Sequence, residues 1–172
     1  MNTPEYQIIP MNSHNESERI LSIYLTYRGF GFVVFEDPET VLDWGHSSVE
    51  GQDYEIFKKR ITSITRYSNI ETVLSFSAKD RPAHIQKNIH ALKGICKKEN
   101  IDCFILPKDE INTVFGLFGS FTKYQKAGLV ASYLPDLAYK LPPKRKPWQS
   151  EDLRMSIFDA ACLALTYFYK KQ

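Results

Sequence analysis

The chain has 172 residues, of which 43% are hydrophobic and 24% charged, an ordinary balance for one globular domain with a sizeable core. The formal net charge is only +2, so the molecule as a whole exerts little pull on nucleic acid, and local clusters would have to supply any such contact.

Residues 1–18 are polar and irregular and read as a flexible arm, followed by one domain over residues 19–172. Ile20–Leu25 has the apolar run of a buried strand, and Tyr27-Arg-Gly-Phe-Gly follows as a tight turn. Phe30–Phe35 and Val41–Gly45 give two further strands separated by Glu36-Asp-Pro-Glu, so the chain opens as an antiparallel meander. After Gly51 the period changes. Tyr54, Phe57, Ile61 and Ile64 recur at helical spacing, with Lys58, Lys59 and Arg60 between them as a solvated face. Ile70–Phe76 reads as a central strand, and Ile85, Ile89, Leu92 and Ile95 mark a second helix with Lys97 and Lys98 outside. Ile101–Leu106 is a fifth strand, stopped by Pro107. A strand–helix–strand unit at this spacing predicts parallel pairing through a right-handed crossover.

Beyond it, Phe115–Ser120 reads as a glycine-interrupted loop and Lys123–Leu134 as a helix ended by Pro135. A basic, proline-rich connector spans Ala138–Trp148, and Leu153–Tyr169 forms the last helix. The predicted order is βββ-α-β-α-β-α-α, an α/β fold around a mixed five-stranded sheet.

Within that last helix, Met155–Phe168 carries one charge, Asp159. A lone carboxylate on an apolar helix is usually paired, metal-bound or protonated. A second reading makes Asp159 part of a modest polar stripe with Ser156, Cys162 and Thr166.

Several segments together resemble the RuvC-like Holliday-junction resolvases of the ribonuclease H-like superfamily. Ile20-Leu-Ser-Ile-Tyr-Leu-Thr resembles the family's first strand, Gly31-Phe-Val-Val its second, and Ile101–Pro107 its fifth. Gly119-Ser-Phe-Thr-Lys-Tyr-Gln resembles its G-x-x-x-K-x-Q segment, which implies that Lys123 lies near phosphate. Asp159-Ala-Ala followed by Leu-Ala-Leu-Thr resembles the closing helix. The resemblance implies four carboxylates around two divalent metals: one on the first strand, one at the end of the fourth, and two a helical turn apart on the last helix. By register those positions are Tyr24, Ser75, Ser156 and Asp159. Only Asp159 keeps a carboxylate, and one carboxylate does not hold two magnesium ions. Asp43, Glu71 or Asp80 would have to move in to rebuild the site.

The connector holds Lys140, Lys144, Arg145, Lys146 and Trp148, a stiffened basic segment whose cations would neutralise phosphates and whose indole would stack on a base. The loop before Lys123 lacks phosphate-loop spacing, and its Phe118 and Phe121 read as core residues or as wedges toward a partner. The three cysteines form no CxxC pair and the histidines no ligand spacing, so no metal site is expected and a reducing cytoplasm fits. No apolar run reaches membrane-spanning length, and the N-terminal stretch lacks the apolar core of a secretion signal.

The expected function is a nucleic-acid-binding RuvC-like domain that has lost its two-metal chemistry. It would serve as a binding or scaffold subunit in DNA recombination, mobile-element or defence processes, with no cofactor. The alternatives are a magnesium-dependent structure-selective endonuclease with relocated carboxylates, and a module that binds a partner protein. By analogy with the family, a homodimer is expected.

Overall fold

The computed structural model describes residues 18–48 and 53–172. The arm expected over residues 1–18 therefore lies outside the described residues, except for Glu18. That residue is tied down: its carboxylate accepts from the Thr72 hydroxyl and pairs with Lys171 Nζ at 3.0 Å.

The chain opens with β1 (Ile20–Thr26), β2 (Gly29–Asp37) and β3 (Thr40–Ser48), then α1 (Tyr54–Tyr67) and β4 (Thr72–Phe76). Next come α2 (Ala83–Glu99), β5 (Asp102–Leu106), α3 (Lys108–Gly116), α4 (Lys123–Tyr133), the short α5 (Pro135–Ala138) and α6 (Met155–Lys170). The strands form one five-stranded sheet in the order β3-β2-β1-β4-β5. β1, β2 and β3 pair antiparallel, whereas β4 pairs parallel with both β1 and β5. This is the mixed sheet that the hairpins and the helical crossover predict.

Side-chain alternation sorts the two faces. Ser22 donates to the Ala160 carbonyl at 2.6 Å and the Phe35 ring meets Phe168, so these positions look toward α6. Phe30 meets Phe57 of α1 edge-on, so its parity looks the other way. α6 is buried along most of its length, from Met155 to Thr166. That explains why its sequence is apolar nearly all round. Cys162 and Thr166 are buried too, with Thr166 Oγ1 donating to the Cys162 carbonyl. The stripe containing Asp159 is therefore an interior contact under α3 and α4 rather than a wet surface.

Two helices differ from expectation: α3, and the four-residue α5 at Pro135–Ala138, where the sequence reads as the end of a helix and the start of the connector. Residues 108–116 form α3, and the loop is confined to the turn after it. Ile111, Val114 and Phe115 have helical spacing and are buried, but over only nine residues the period is short and runs straight into glycine-rich text.

Candidate functional site

The carboxyl ends of β1 and β4, neighbouring parallel strands, meet the first turns of α4 and α6. Several local features place the side chains there. Gly31 lies opposite Tyr24 in the β1–β2 pair. A Cβ on Gly31 would sit 2.3 Å from the Ser156 carbonyl carbon, so only glycine lets the start of α6 rest directly on the sheet. On α4, Thr122 is the N-cap and Gln125 closes a capping box with it. The Thr and Gln that flank Lys123 in the motif-like segment thus hold it on the first helical turn. A cation there opposes the helix dipole and needs nearby carboxylates to offset it.

Those carboxylates are Asp159 and Glu151. Lys123 Nζ lies 2.7 Å from Glu151 Oε1 and 2.9 Å from Asp159 Oδ2. It donates to Glu151 Oε2 at 2.8 Å, while Asp159 Oδ2 receives an ion-pair contact but no aligned hydrogen bond. Beside it, Arg81 Nη2 donates to Tyr24 Oη at 2.9 Å, and the guanidinium stands over the Phe76 ring at 5.2 Å. The Lys123 ammonium is 5.7 Å from the Tyr24 ring centre. Arg28 Nη2 donates to the Glu151 carbonyl, fixing the approach to α6.

Burial pushes the Asp159 carboxyl up to about 6, against the pull of Lys123, and the Glu151 charge adds to the rise. Burial pulls the Lys123 ammonium down, but Asp159 and Glu151 outweigh it and the net direction is up. The Tyr24 phenol is raised by burial and then by Asp159, so it stays protonated at neutral pH.

Tyr24, Ser156 and Asp159 gather at this end of the molecule, but Ser75 does not join them. Its hydroxyl is buried and donates to the Ile23 carbonyl at 2.9 Å. Ser22 pairs with Leu74, so Ser75 shares the Ile23 parity and looks toward the α1/α2 side. A one-residue slip inverts the face of a strand residue, and Phe76 holds the inward position instead. Its ring centre lies 4.5 Å from that of Tyr24. Ser156 is buried and donates to the Leu153 carbonyl at 2.5 Å.

None of the three carboxylates weighed from the sequence as replacements arrives, although Glu151 does reach Lys123 beside Asp159. Asp43 pairs with Val34 across β2–β3, two strands from β1. Glu71 precedes the first residue of β4 and so lies at the opposite end of the sheet. Asp80 is an exposed turn residue. Among the described residues, no group of three or more His, Cys, Asp or Glu is spaced to hold a metal ion. Magnesium needs a near-octahedral oxygen shell. A phenol bonded by arginine, a phenyl ring, a buried hydroxyl and two carboxylates that already share one ammonium do not fit a two-magnesium clamp.

In the connector, Lys144, Arg145 and Lys146 are exposed around a tight turn, where Arg145 Nη1 donates to the Gln149 carbonyl at 2.7 Å. Trp148 is 78% exposed, with Lys146 Nζ 5.4 Å from its ring centre. Lys140 stands apart, over the Tyr139 ring beside Trp44 and His46 of β3. Phe118 packs edge-on against Tyr169, whereas Phe121 is 73% exposed. Sequence reasoning missed Arg81 and Glu151. Arg81 lies two residues before α2 and Glu151 opens the approach to α6, so proximity to a strand end or helix start was the available signal.

The structure is similar to that of Thermus thermophilus RuvC in complex with a Holliday junction substrate, with a TM-score of 0.66 and 13% identity over 90% of this chain and 95% of the other. T. thermophilus RuvC in a second structure gives the same TM-score at 14% identity, covering 89% and 95%. The fowlpox virus Holliday junction resolvase gives a TM-score of 0.56 at 14% identity, covering 90% and 99%. No family model and no curated protein matches the sequence. The chain has the RuvC-like, ribonuclease H-like fold.

Proposed function

We propose that this chain is a RuvC-like nucleic-acid-binding domain that engages branched DNA without two-metal cleavage, as a binding or scaffold subunit. The observation that carries the reading is the Lys123 ammonium, held 2.7 Å from Glu151 and 2.9 Å from Asp159 in the pocket-like corner where the carboxyl ends of β1 and β4 meet α4 and α6. Two-metal cleavage depends on divalent cations that activate a water and neutralise the leaving oxygen. A single lysine shared between Glu151 and Asp159 supplies neither. DNA affinity then falls to groups outside the cluster. Lys144, Arg145 and Lys146 neutralise backbone phosphates, and Trp148 stacks on an unpaired base. The similarity to a RuvC that holds a Holliday junction supports a branched substrate.

The test is binding to a four-way DNA junction across a salt series. Replacing Lys144, Arg145 and Lys146 by alanine should flatten the log–log salt dependence by about 0.7 to 0.9 for each phosphate no longer neutralised. Chelating divalent ions should leave binding unchanged. Magnesium-stimulated cutting abolished by Asp159→Asn would overturn the reading in favour of a nuclease. Absence of binding at every salt concentration would favour a protein-binding module.

A further inference from the structure

The side of the sheet remote from α6 carries a charge pattern of its own. α1 presents Lys58, Lys59, Arg60 and Arg66 against one acid, Glu55. α2 presents Lys87, Lys93, Lys97 and Lys98 against one acid, Glu99. The whole chain is only +2, so the remainder is net acidic and the positive charge is concentrated on these two helices.

Both acids are already engaged. Glu55 pairs with Lys58 at 3.0 Å, and Glu99 with Arg66 at 2.7 Å. Among the described residues, Lys59, Lys93, Lys97 and Lys98 have no carboxylate within ion-pair distance. A groove of about 1000 Å³ runs between the helices, lined in part by Tyr54, Lys59, His90 and Lys98. At one end Lys58 and Lys87 both stand 4.6 Å from the Tyr54 ring centre. Both cations are attracted to the face of that ring, which gathers them at this end of the groove. Toward the other end Tyr67 is 89% exposed. Lysines beside the half-buried Tyr54 and the exposed Tyr67 suit a chain of phosphates with bases nearby.

Position adds a second argument. α2 starts at Ala83, just past Arg81, which bonds Tyr24 at the pocket. Its lysines therefore run away from the pocket along a helix about 25 Å long. Duplex DNA carries one charge per roughly 1.7 Å of axis, so a helix of that length faces a dense row of phosphates. A second copy of the chain docked through the same face would bring two strongly basic surfaces together.

We propose that the α1/α2 face is a second nucleic-acid contact surface, which takes the phosphate backbone of a duplex arm running outward from the pocket. It goes beyond the binding function above and rests on different residues.

The experiment uses the full chain and a linear duplex of about 20 base pairs, longer than the helix it must cover. The salt dependence of affinity is compared for wild type, Lys59→Ala/Lys98→Ala, Lys59→Arg/Lys98→Arg and the connector triple-alanine variant. The α1/α2 alanine pair should lower the log–log slope by about 1.8 if each lysine neutralises one phosphate, and the arginine pair should retain it. Circular dichroism should confirm that both pairs are folded. An unchanged slope in the alanine pair would overturn the proposal while leaving the connector reading standing. A connector variant that binds like wild type, beside a weakened alanine pair, would do the reverse. Sedimentation showing a dimer dispersed by the alanine pair, with duplex affinity unaltered, would assign the face to a second copy and overturn the proposal.

Discussion

The pocket at the strand ends and the outer face of α1 and α2 are both rich in cations, yet they treat charge in opposite ways. In the pocket, Lys123 is within 3 Å of carboxylates from two segments, and Arg81 is spent on Tyr24. On the α1/α2 face, lysines such as Lys59 and Lys98 are exposed and lack a described carboxylate partner. Burial accounts for the difference. A charge withdrawn from water must be paired or neutralised, whereas a solvated one need not be. Charge available to a polyanion is thus found where side chains are least constrained, away from the pocket that the fold makes conspicuous.

The largest expected effect tests the closed side of this contrast. The folded chain holds the Asp159 proton up to about pH 6, above the ordinary 3.8, so it binds that proton more tightly than the unfolded chain does. The stability this lends is complete below about pH 4 and is lost as the pH rises through about 6. Between those limits wild type should lose about 3 kcal/mol that Asp159→Asn retains, from roughly two units at 1.36 kcal/mol each. Urea unfolding from acid to neutral pH measures this, and parallel curves for the two proteins would show that the carboxyl is not buried as described.

A smaller effect is expected from Lys123→Met, which strips the pocket of its cation. At neutral pH this should cost about 2 kcal/mol, less than for a fully buried pair because the lysine side chain is 40% exposed. The loss should shrink in mild acid as Asp159 takes up its proton. Lys59→Ala, on the open face, should stay within about 0.5 kcal/mol of wild type at either pH. Equal costs at the two lysines would erase the contrast. The smallest of the three effects concerns the cap that fixes Lys123: Thr122→Ala should cost about 1 kcal/mol in thermal or urea unfolding, whereas no change would mean the capping box does not hold the first turn of α4.

The antiparallel start and the parallel second half were legible in the sequence because hairpin turns and a helical crossover permit few sheets. The closing helix and the isolated carboxylate Asp159 were legible for a similar reason, since an apolar run makes one charge conspicuous. Tyr24 stands opposite Gly31 in the β1–β2 pair, which brings it to the start of α6, where Ser156 and Asp159 lie about one helical turn apart. The place beside Tyr24 on β4 was not legible, because strand alternation turns a one-residue error into the opposite face, and Phe76 stands where Ser75 was expected.

What sequence alone determined is therefore local and periodic: which segments are strands and helices, and which faces are apolar. Tertiary structure decided the pairing. It brought Glu151 and Arg81 to the pocket from loops with no periodic signal, and it joined Lys123 to Asp159 across 36 positions of chain. It also set α1 beside α2, so that two helix faces, each of which reads as merely solvated, form one basic groove. Contacts between residues distant in sequence depend on how layers pack, and packing leaves no periodic trace in the chain.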